Sequence, residues 1–394
     1  MYGCARTRRT RWAATAAVLL LTGGLLTACS SDDGNDATKT TTGPSTSADS
    51  TSSKVDLAPW YKGTNEEPPK KGPVPVKGKD VWLVSCGQFS ASCAAMTKGA
   101  EEAGAELGWT TNMCDSKLQF ELSAQCVRQA LAADADAIVL LGGECKSIKQ
   151  ALVEAKVAKV PVASANGADC DDPVLGDSTA PLFAVPVTGS SQTPDTFDLF
   201  HTIGVVQAEW LIDQTDGQAK VLSIYPGQGQ ASAAYLGLKE RLAECSGCEL
   251  VDTLMIQGPD TPQVRQKAES SLLQHPEINA VAVPFDAYFV LGLQQGLTAS
   301  GRDLKVIGGQ GDPPNMDFIR AGGSGQAAAV ATDMPWWGWA SMDALVRHFA
   351  GEKLVAEGVG FQLVDREHNL PKSGPYVGPI DFRPAYEKLW AGGA

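Results

Sequence analysis

The stretch Ala137-Ile-Val-Leu-Leu-Gly-Gly-Glu-Cys-Lys-Ser-Ile-Lys-Gln-Ala-Leu-Val-Glu-Ala-Lys-Val-Ala-Lys-Val-Pro-Val-Ala-Ser-Ala165 decides the fold. Its first five residues form an apolar run of strand length with no polar alternation, the pattern of a strand buried on both faces. Gly142 and Gly143 break the run, and Ile148, Leu152 and Ala155 then fall on one face at helical spacing. Val160 to Ala165 is a second β-rich run. A strand, a helix and a strand in this order predict a parallel sheet with helices packed on its faces.

The same alternation extends in both directions. Val81 to Ser85 and Trp109 to Met113 read as buried strands upstream, and Leu118, Leu122, Val127 and Leu131 share a helix face. With Leu182 to Val187 these units make one α/β lobe. A helix from about Asp198 to Gln214 restarts the pattern, and strands at Val221–Tyr225, Leu250–Ile256, Ala280–Val283 and Leu304–Ile307 make a second. Thr188 to Pro194, rich in Gly, Ser and Thr, is the natural first crossing between lobes.

The N-terminus carries Arg6, Arg8, Arg9 and Arg11, then an apolar run from Trp12 to Leu26 that is short for a membrane span. We read residues 1–28 as a signal peptide. Leu26-Thr27-Ala28-Cys29 is similar to a bacterial lipobox, with Cys29 as the lipidation site and new N-terminus, so the expected location is the extracellular face of the cell membrane. Residues 29–79 read as a flexible tether, first Ser, Thr, Asp and Gly, then a Pro-rich spacer. Globular sequence is expected from Asp80, leaving roughly 310 residues, long for a single core and suited to two lobes. The net charge of −13 falls to about −17 without the four signal arginines, which disfavours nucleic acid and anionic surfaces as partners.

Without Cys4 and Cys29 an even set of cysteines remains: Cys86, Cys93, Cys114, Cys126, Cys145, Cys170, Cys245 and Cys248. In an exported chain these read as disulfides. About a hundred pairings are open, and sequence proximity favours 86 with 93, 114 with 126, 145 with 170, and 245 with 248.

The order of motifs carries a resemblance. Gly-Gln-Gly-Gln-Ala-Ser-Ala-Ala at 227–234, Val-Pro-Phe-Asp-Ala at 283–287, Val-Ile-Gly-Gly-Gln-Gly-Asp at 306–312 and Ala-Val-Ala-Thr-Asp-Met-Pro at 329–335 follow one another between strands and helices. This resembles the type I periplasmic sugar-binding proteins of the ribose-binding kind, over most of Asp80 to Glu352. The resemblance implies two doubly wound parallel-sheet lobes joined by three crossovers, near 188, 335 and 365. The lobes are then 80–188 with 335–365, and 189–334 with 366–394. It also implies an ABC permease and its ATPase as partners and closure of the lobes on a small-molecule ligand; a tethered monomer is the simplest expectation. The segment from Asn369, with Tyr386 and Trp390, lies outside the resemblance.

In open α/β sheets ligands bind beyond the carboxyl ends of the strands. Those ends supply Ser85, Gln88, Phe89 and Ser90, then Gly143, Glu144 and Asn166 from the first lobe. The second supplies Gln228, Gln230, Tyr235, Phe285, Asp286, Gln310 and Asp312, and the last crossing Asp333, Trp336 and Trp337. Acids and amides beside flat rings suit a neutral polyhydroxylated ligand, a sugar or cyclitol. On the family pattern Asn166 and Gln310 stand where aspartates are usual, Asp286 follows the strand-end position, and Asp333 meets the ligand from the hinge. The family's paired phenylalanines correspond to Ser92 and Cys93 and its second-lobe arginine to about Ala234, so both ribose anchors are missing. With no Arg or Lys among these positions an anionic ligand is disfavoured.

Each candidate also has a structural reading. Phe89 and Phe285 can seal their lobe cores, Asp286 and Asp312 can cap helices, and Glu144 reads better as a solvated loop charge. Trp336, Trp337 and Trp339 cannot all face one way, and at least one is expected in the cleft.

Enzyme chemistry finds little support. His201, His275, His348 and His368 lack metal-ligand spacing, and Cys245-Ser246-Gly247-Cys248 falls after a helix, where a turn disulfide suits it better than a redox thiol. Neither a Gly-x-Ser-x-Gly elbow nor a phosphate loop is present. No cofactor is implied. Two rival readings remain: a receptor reporting to a membrane sensor kinase, and a surface hydrolase using Asp286 and Asp333.

Overall fold

The computed structural model describes residues 55–227, 229–257 and 263–392. The signal peptide, Cys29, the Ser/Thr-rich part of the tether and Gln228 lie outside them. A short helix, α1 (Ala58–Lys62), precedes the first lobe. That lobe runs β1 (Asp80–Ser85), α2 (Ala91–Leu107), β2 (Thr110–Asp115), α3 (Phe120–Ala132), β3 (Ala137–Leu141), α4 (Cys145–Ala158), β4 (Val162–Ala165) and β5 (Val185–Pro186). Its parallel sheet has the order β2-β1-β3-β4-β5. All five residues of β3 are buried, because α3 and α4 cover one face of the sheet and α2 the other.

The second lobe contains α5 (Thr196–Gln214), β6 (Lys220–Tyr225), α6 (Gln230–Ala243), β7 (Glu249–Met255), α7 (Val264–Gln274) and β8 (Ala280–Ala282). It continues through α8 (Gln294–Ala299), β9 (Lys305–Gln310), α9 (Pro313–Ala321) and β10 (Ala328–Thr332). Gly204 of α5 and Gly237 of α6 let these helices touch: a Cβ on Gly204 would lie 1.9 Å from the Ala234 carbonyl oxygen, and one on Gly237 2.1 Å from that of His201. The chain then returns to the first lobe as α10 (Met334–Phe349), packed on α2, and crosses again to β11 (Phe361–Asp365). The second sheet has the order β11-β10-β9-β8-β6-β7, with β11 antiparallel to β10. A final helix, α11 (Arg383–Trp390), lies against α10.

Three expectations change. The strand Phe361–Asp365 belongs to the second sheet by its hydrogen bonds to β10, so the third crossing precedes 361 instead of lying near 365. The end of the chain, expected with the second lobe, returns to the first: Trp390 donates to Asp343 of α10 at 2.7 Å, and Trp339 stacks on Trp390. Residues 55–79 are a docked segment and not a tether. Trp60 donates to Glu209 and Tyr61 to Asp365 in the second lobe, while the Lys71 and Val76 carbonyls accept from Arg347 and Trp109 on the first. Proline-rich chain needs no strand partner, and here its aromatic residues give it surface to bury.

The disulfides join Cys86–Cys93, Cys114–Cys126, Cys145–Cys170 and Cys245–Cys248, the pairs that sequence proximity favoured. Two of them brace the strand-end edge of the first lobe. One holds the loop after β1 to α2, and the other holds the start of α4 to the loop after β4. Among the described residues no helix is long and apolar enough to cross a membrane.

Candidate ligand-binding cleft

The strand ends of the two sheets face each other across a cleft that has two different parts. At its outer seam the lobes touch. The carboxylate of Glu144, just before α4, accepts the Gln230 backbone N–H at 2.7 Å, and the Gln230 side-chain amide donates to the Asn166 carbonyl at 3.1 Å. Gly229 makes this approach possible: at φ +66° a Cβ would lie 2.6 Å from Glu144 Oε1. Glu144 is therefore 6% exposed, not a solvated charge. Burial, with a smaller contribution from the charge of Asp172, pushes its pKa up to about 7; the Gln230 N–H and Lys146 pull the other way. Asn166 holds a left-handed φ of +56°, and its side-chain oxygen is buried with no donor among the described residues.

Nearer the hinge lies a cavity of ≈ 200 Å³. Ala91 and Ala95 of α2 form its first-lobe side, Gly311, Asp312 and Pro313 its second-lobe side, and Thr332 to Pro335 its hinge side. Pro375, Tyr376, Val377 and Arg383 close it. Asp312 occupies the N-cap position of α9 without capping it; its carboxylate accepts from the Ser92 hydroxyl of the opposite lobe. Asp333 accepts the Gly378 N–H at 2.9 Å. Burial raises the pKa of both, offset at Asp312 by Ser92 and at Asp333 by the Gly378 N–H and Arg383.

Asp286 organises the second-lobe side from beneath. It is fully buried and accepts the backbone N–H groups of Gly309, Gly311 and Asp312 at 3.2, 2.7 and 2.9 Å, and the Gln326 amide at 3.2 Å. Burial and the charge of Asp312 push its carboxyl well above the ordinary range, while these donors pull it back. Gln310, at φ +80°, accepts the Asp286 N–H at 3.2 Å. Asp286 thus fixes the loop from Gly309 to Asp312 in shape.

Several expected residues stand elsewhere. Trp336 is in the first-lobe core, its ring stacked on Phe382 and its N–H donated to Tyr386. Trp337 is equally buried and donates to Thr332 at 3.1 Å, so all three tryptophans of α10 pack inward and none lies open in the cleft. For Trp336 and Trp339 such burial follows from the return of the C-terminus over α10, which gives the helix a second apolar partner, whereas the Trp337 ring lies against Gly189 of the first crossing. Phe89 is 61% exposed beside Gly87 and seals no core. Gln88 turns inward to Ser85 and Thr97, and Ser90 is buried at the start of α2. Tyr235 stacks on Tyr225 at 4.4 Å within the second lobe, and Phe285 meets Phe200 edge-on. Sequence reasoning named Ser92 only as the place of a missing anchor, and missed its bond to Asp312, the seam role of Glu144 and the closing segment from Pro375. A Pro- and Gly-rich run with scattered aromatics names no partner for itself.

A family model described as the periplasmic binding protein domain matches residues 84–353. No curated protein matches by sequence. Among solved structures, a sugar ABC transporter protein from Yersinia enterocolitica subsp. enterocolitica 8081 is similar, with TM-score 0.66 and 15% identity over 82% of this chain and 99% of that one. So is the periplasmic binding component of an arabinose ABC transporter from Shewanella sp. ANA-3 with bound L-arabinofuranose, at TM-score 0.61, 20% identity, and 73% and 92% coverage. A Mycobacterium smegmatis protein in complex with β-D-fucofuranose gives TM-score 0.61, 18% identity, and 74% and 92% coverage.

Proposed function

The chain belongs to the periplasmic binding protein domain family, and from that premise we propose that it captures one small, neutral polyhydroxylated molecule, a sugar or cyclitol, outside the cytoplasm and delivers it to an ABC permease. The observation that carries this reading is the ≈ 200 Å³ interlobe cavity, lined from both lobes and the hinge. Its volume lies below the ~300–1,000 Å³ of pockets for drug-sized ligands, so a single ring suits it. Asp312 and Asp333 offer acceptors to hydroxyl groups, and the alanines and prolines offer apolar surface to C–H edges. The cation on the wall, Arg383, is paired with Glu102 at 2.9 Å and stands among two cavity carboxylates, Asp312 and Asp333, so the net charge there does not favour an anionic ligand. Similar structures hold furanose sugars. Closure over the ligand would bring together contacts that neither lobe has alone.

The family binds and does not catalyse, and the carboxylates agree with that. Asp286 is committed to four donors inside its own lobe, which leaves the surface-hydrolase reading without its acid pair. Lipid attachment at Cys29 after cleavage at Ala28 is the proposed means of retention at the membrane, supported by the lipobox-like sequence.

The test is a thermal-shift screen of the mature chain carrying Cys29→Ser against pentoses, hexoses, cyclitols, nucleosides and amines. A ligand at about 100 times its Kd should add about 2.7 kcal/mol, a shift of a few degrees. Stabilisation by a sugar or cyclitol supports the reading; stabilisation only by a charged or aromatic compound overturns the ligand class.

A further inference from the structure

Pro375 to Arg383 lies beyond the matched family region, yet it closes the cavity and is fastened at both ends. On the second lobe the Tyr376 N–H donates to the Gly311 carbonyl at 2.9 Å, and its hydroxyl to Gln362 of β11 at 2.7 Å. Gly311, at φ +90°, has no room for a side chain here, since a Cβ would lie 2.6 Å from Tyr376 Cβ. On the first lobe Arg383 pairs with Glu102 of α2, and Phe382 stacks on Trp336 at 5.1 Å. Between these anchors Gly378 ties the run to Asp333, the hinge residue. The segment is therefore a further chain crossing between the lobes, set beside the crossing at Asp333.

We propose that this C-terminal crossing is the specificity-determining wall of the ligand cavity, with Val377 as its selecting side chain; the proposal rests on the reading of the cleft as the ligand site. Val377 lines the cavity and is 67% exposed, so its side chain is not held by core packing. Its neighbours fix where it stands. Tyr376 on one side and Gly378 on the other are both hydrogen-bonded, so a ligand meets a fixed apolar edge instead of a loop that yields. Gly378 holds the Asp333 carboxylate in place through Oδ2, and each carboxylate oxygen can accept more than one hydrogen bond, so the group can still accept from a ligand hydroxyl. The wall thus selects a compact polyol that turns a C–H edge to Val377 and hydroxyls to Asp312 and Asp333.

The test compares Val377→Trp, Val377→Ala and Val157→Trp in the mature chain. Val157, 79% exposed on α4, is the control for added surface tryptophan. Titration calorimetry uses L-arabinose, D-galactose, D-ribose and myo-inositol, with uridine, L-glutamate and succinate as non-polyol probes. The wall predicts at least a tenfold loss for the best wild-type probe in Val377→Trp, since one methylene in a pocket is worth about tenfold or more. Val377→Ala should re-rank the probes toward larger ones, while Val157→Trp changes nothing and the free proteins melt together. Unchanged ranking, with affinities within about twofold in both Val377 variants, overturns the wall. A best probe outside the polyols overturns the ligand class separately, and the same variants still decide the wall. If Val377→Trp melts early, Val377→Ala alone decides. Binding of no probe to the wild type overturns both.

Discussion

The cleft's outer seam and its hinge-side cavity are built from the same strand ends but behave differently. At the seam the lobes meet through few contacts, and one of them is a buried carboxylate against a backbone amide. At the cavity the walls are fixed from behind, by Asp286 under one side and by the C-terminal crossing over another. The seam thus serves mainly to hold the lobes together and the cavity mainly to choose what fits, with the Ser92–Asp312 bond linking the lobes at the cavity as well. A change at the seam should alter how readily the lobes close, and a change at the cavity should alter what they close upon.

The largest effect should come from breaking the cavity's support. Asp286→Ala would leave three buried N–H groups without this acceptor and strip the Gln326 amide of one of its two, at about 1–3 kcal/mol for each orphaned group. We expect a loss of about 3 kcal/mol or more in urea unfolding, together with loss of ligand binding. Asp286→Asn, which keeps an acceptor oxygen, should lose less. An unchanged midpoint for Asp286→Ala would show that the loop holds its shape without this carboxylate.

The next effect is at the seam and depends on pH. The Glu144 pKa is raised in the closed form, so closure favours the protonated acid. Its contribution is fullest below the ordinary carboxylate range and is lost as pH rises toward about 7. Ligand affinity should fall by as much as about tenfold per pH unit between the two values. Glu144→Gln keeps an acceptor for the Gln230 N–H and should flatten the profile. A pH-independent affinity in the wild type would remove Glu144 from the closure equilibrium.

A smaller change should follow Ser92→Ala, which removes the bond to Asp312 across the lobes: about 1 kcal/mol, or roughly fivefold in affinity. No change in affinity would mean that this bond is absent from the liganded form. The least effect is expected from replacing Cys245 and Cys248 together by alanine. That bridge spans three positions far from the cleft and constrains little unfolded chain. Removing Cys145–Cys170, which secures Glu144 and Asn166 on one edge, should lower both affinity and melting temperature.

The body of the fold was legible because its periods are strong. Ala137 to Leu141 is a strand with the bounds its apolar run suggests, and Val221 to Tyr225 differs by one residue. Partnership was harder to read. Phe361 to Asp365 reads as apolar chain whichever sheet it joins, and only its antiparallel pairing with β10 assigns it. The site was legible in its strand-end positions, less so in roles: Glu144 and Asp312 carry signals of a loop charge and a cap, and each instead meets a residue from the other lobe. Trp336 looks like a ligand stacker until Phe382 covers it, and Trp337 until it turns to Thr332 and Gly189 at the crossings. Long-range docking of Pro-rich termini leaves no local period to detect.

The path of residues 55–79 has a mechanical consequence. This segment touches the second lobe at Trp60 and Tyr61, passes Ser191 and Gly358 at the crossings through Glu66, and reaches the first lobe at Lys71. The described chain is thus clasped to the second lobe before it reaches the axis about which the lobes would turn, so a pull on residue 55 loads that lobe first, at Trp60 and Tyr61, and reaches the hinge only afterwards, through Glu66.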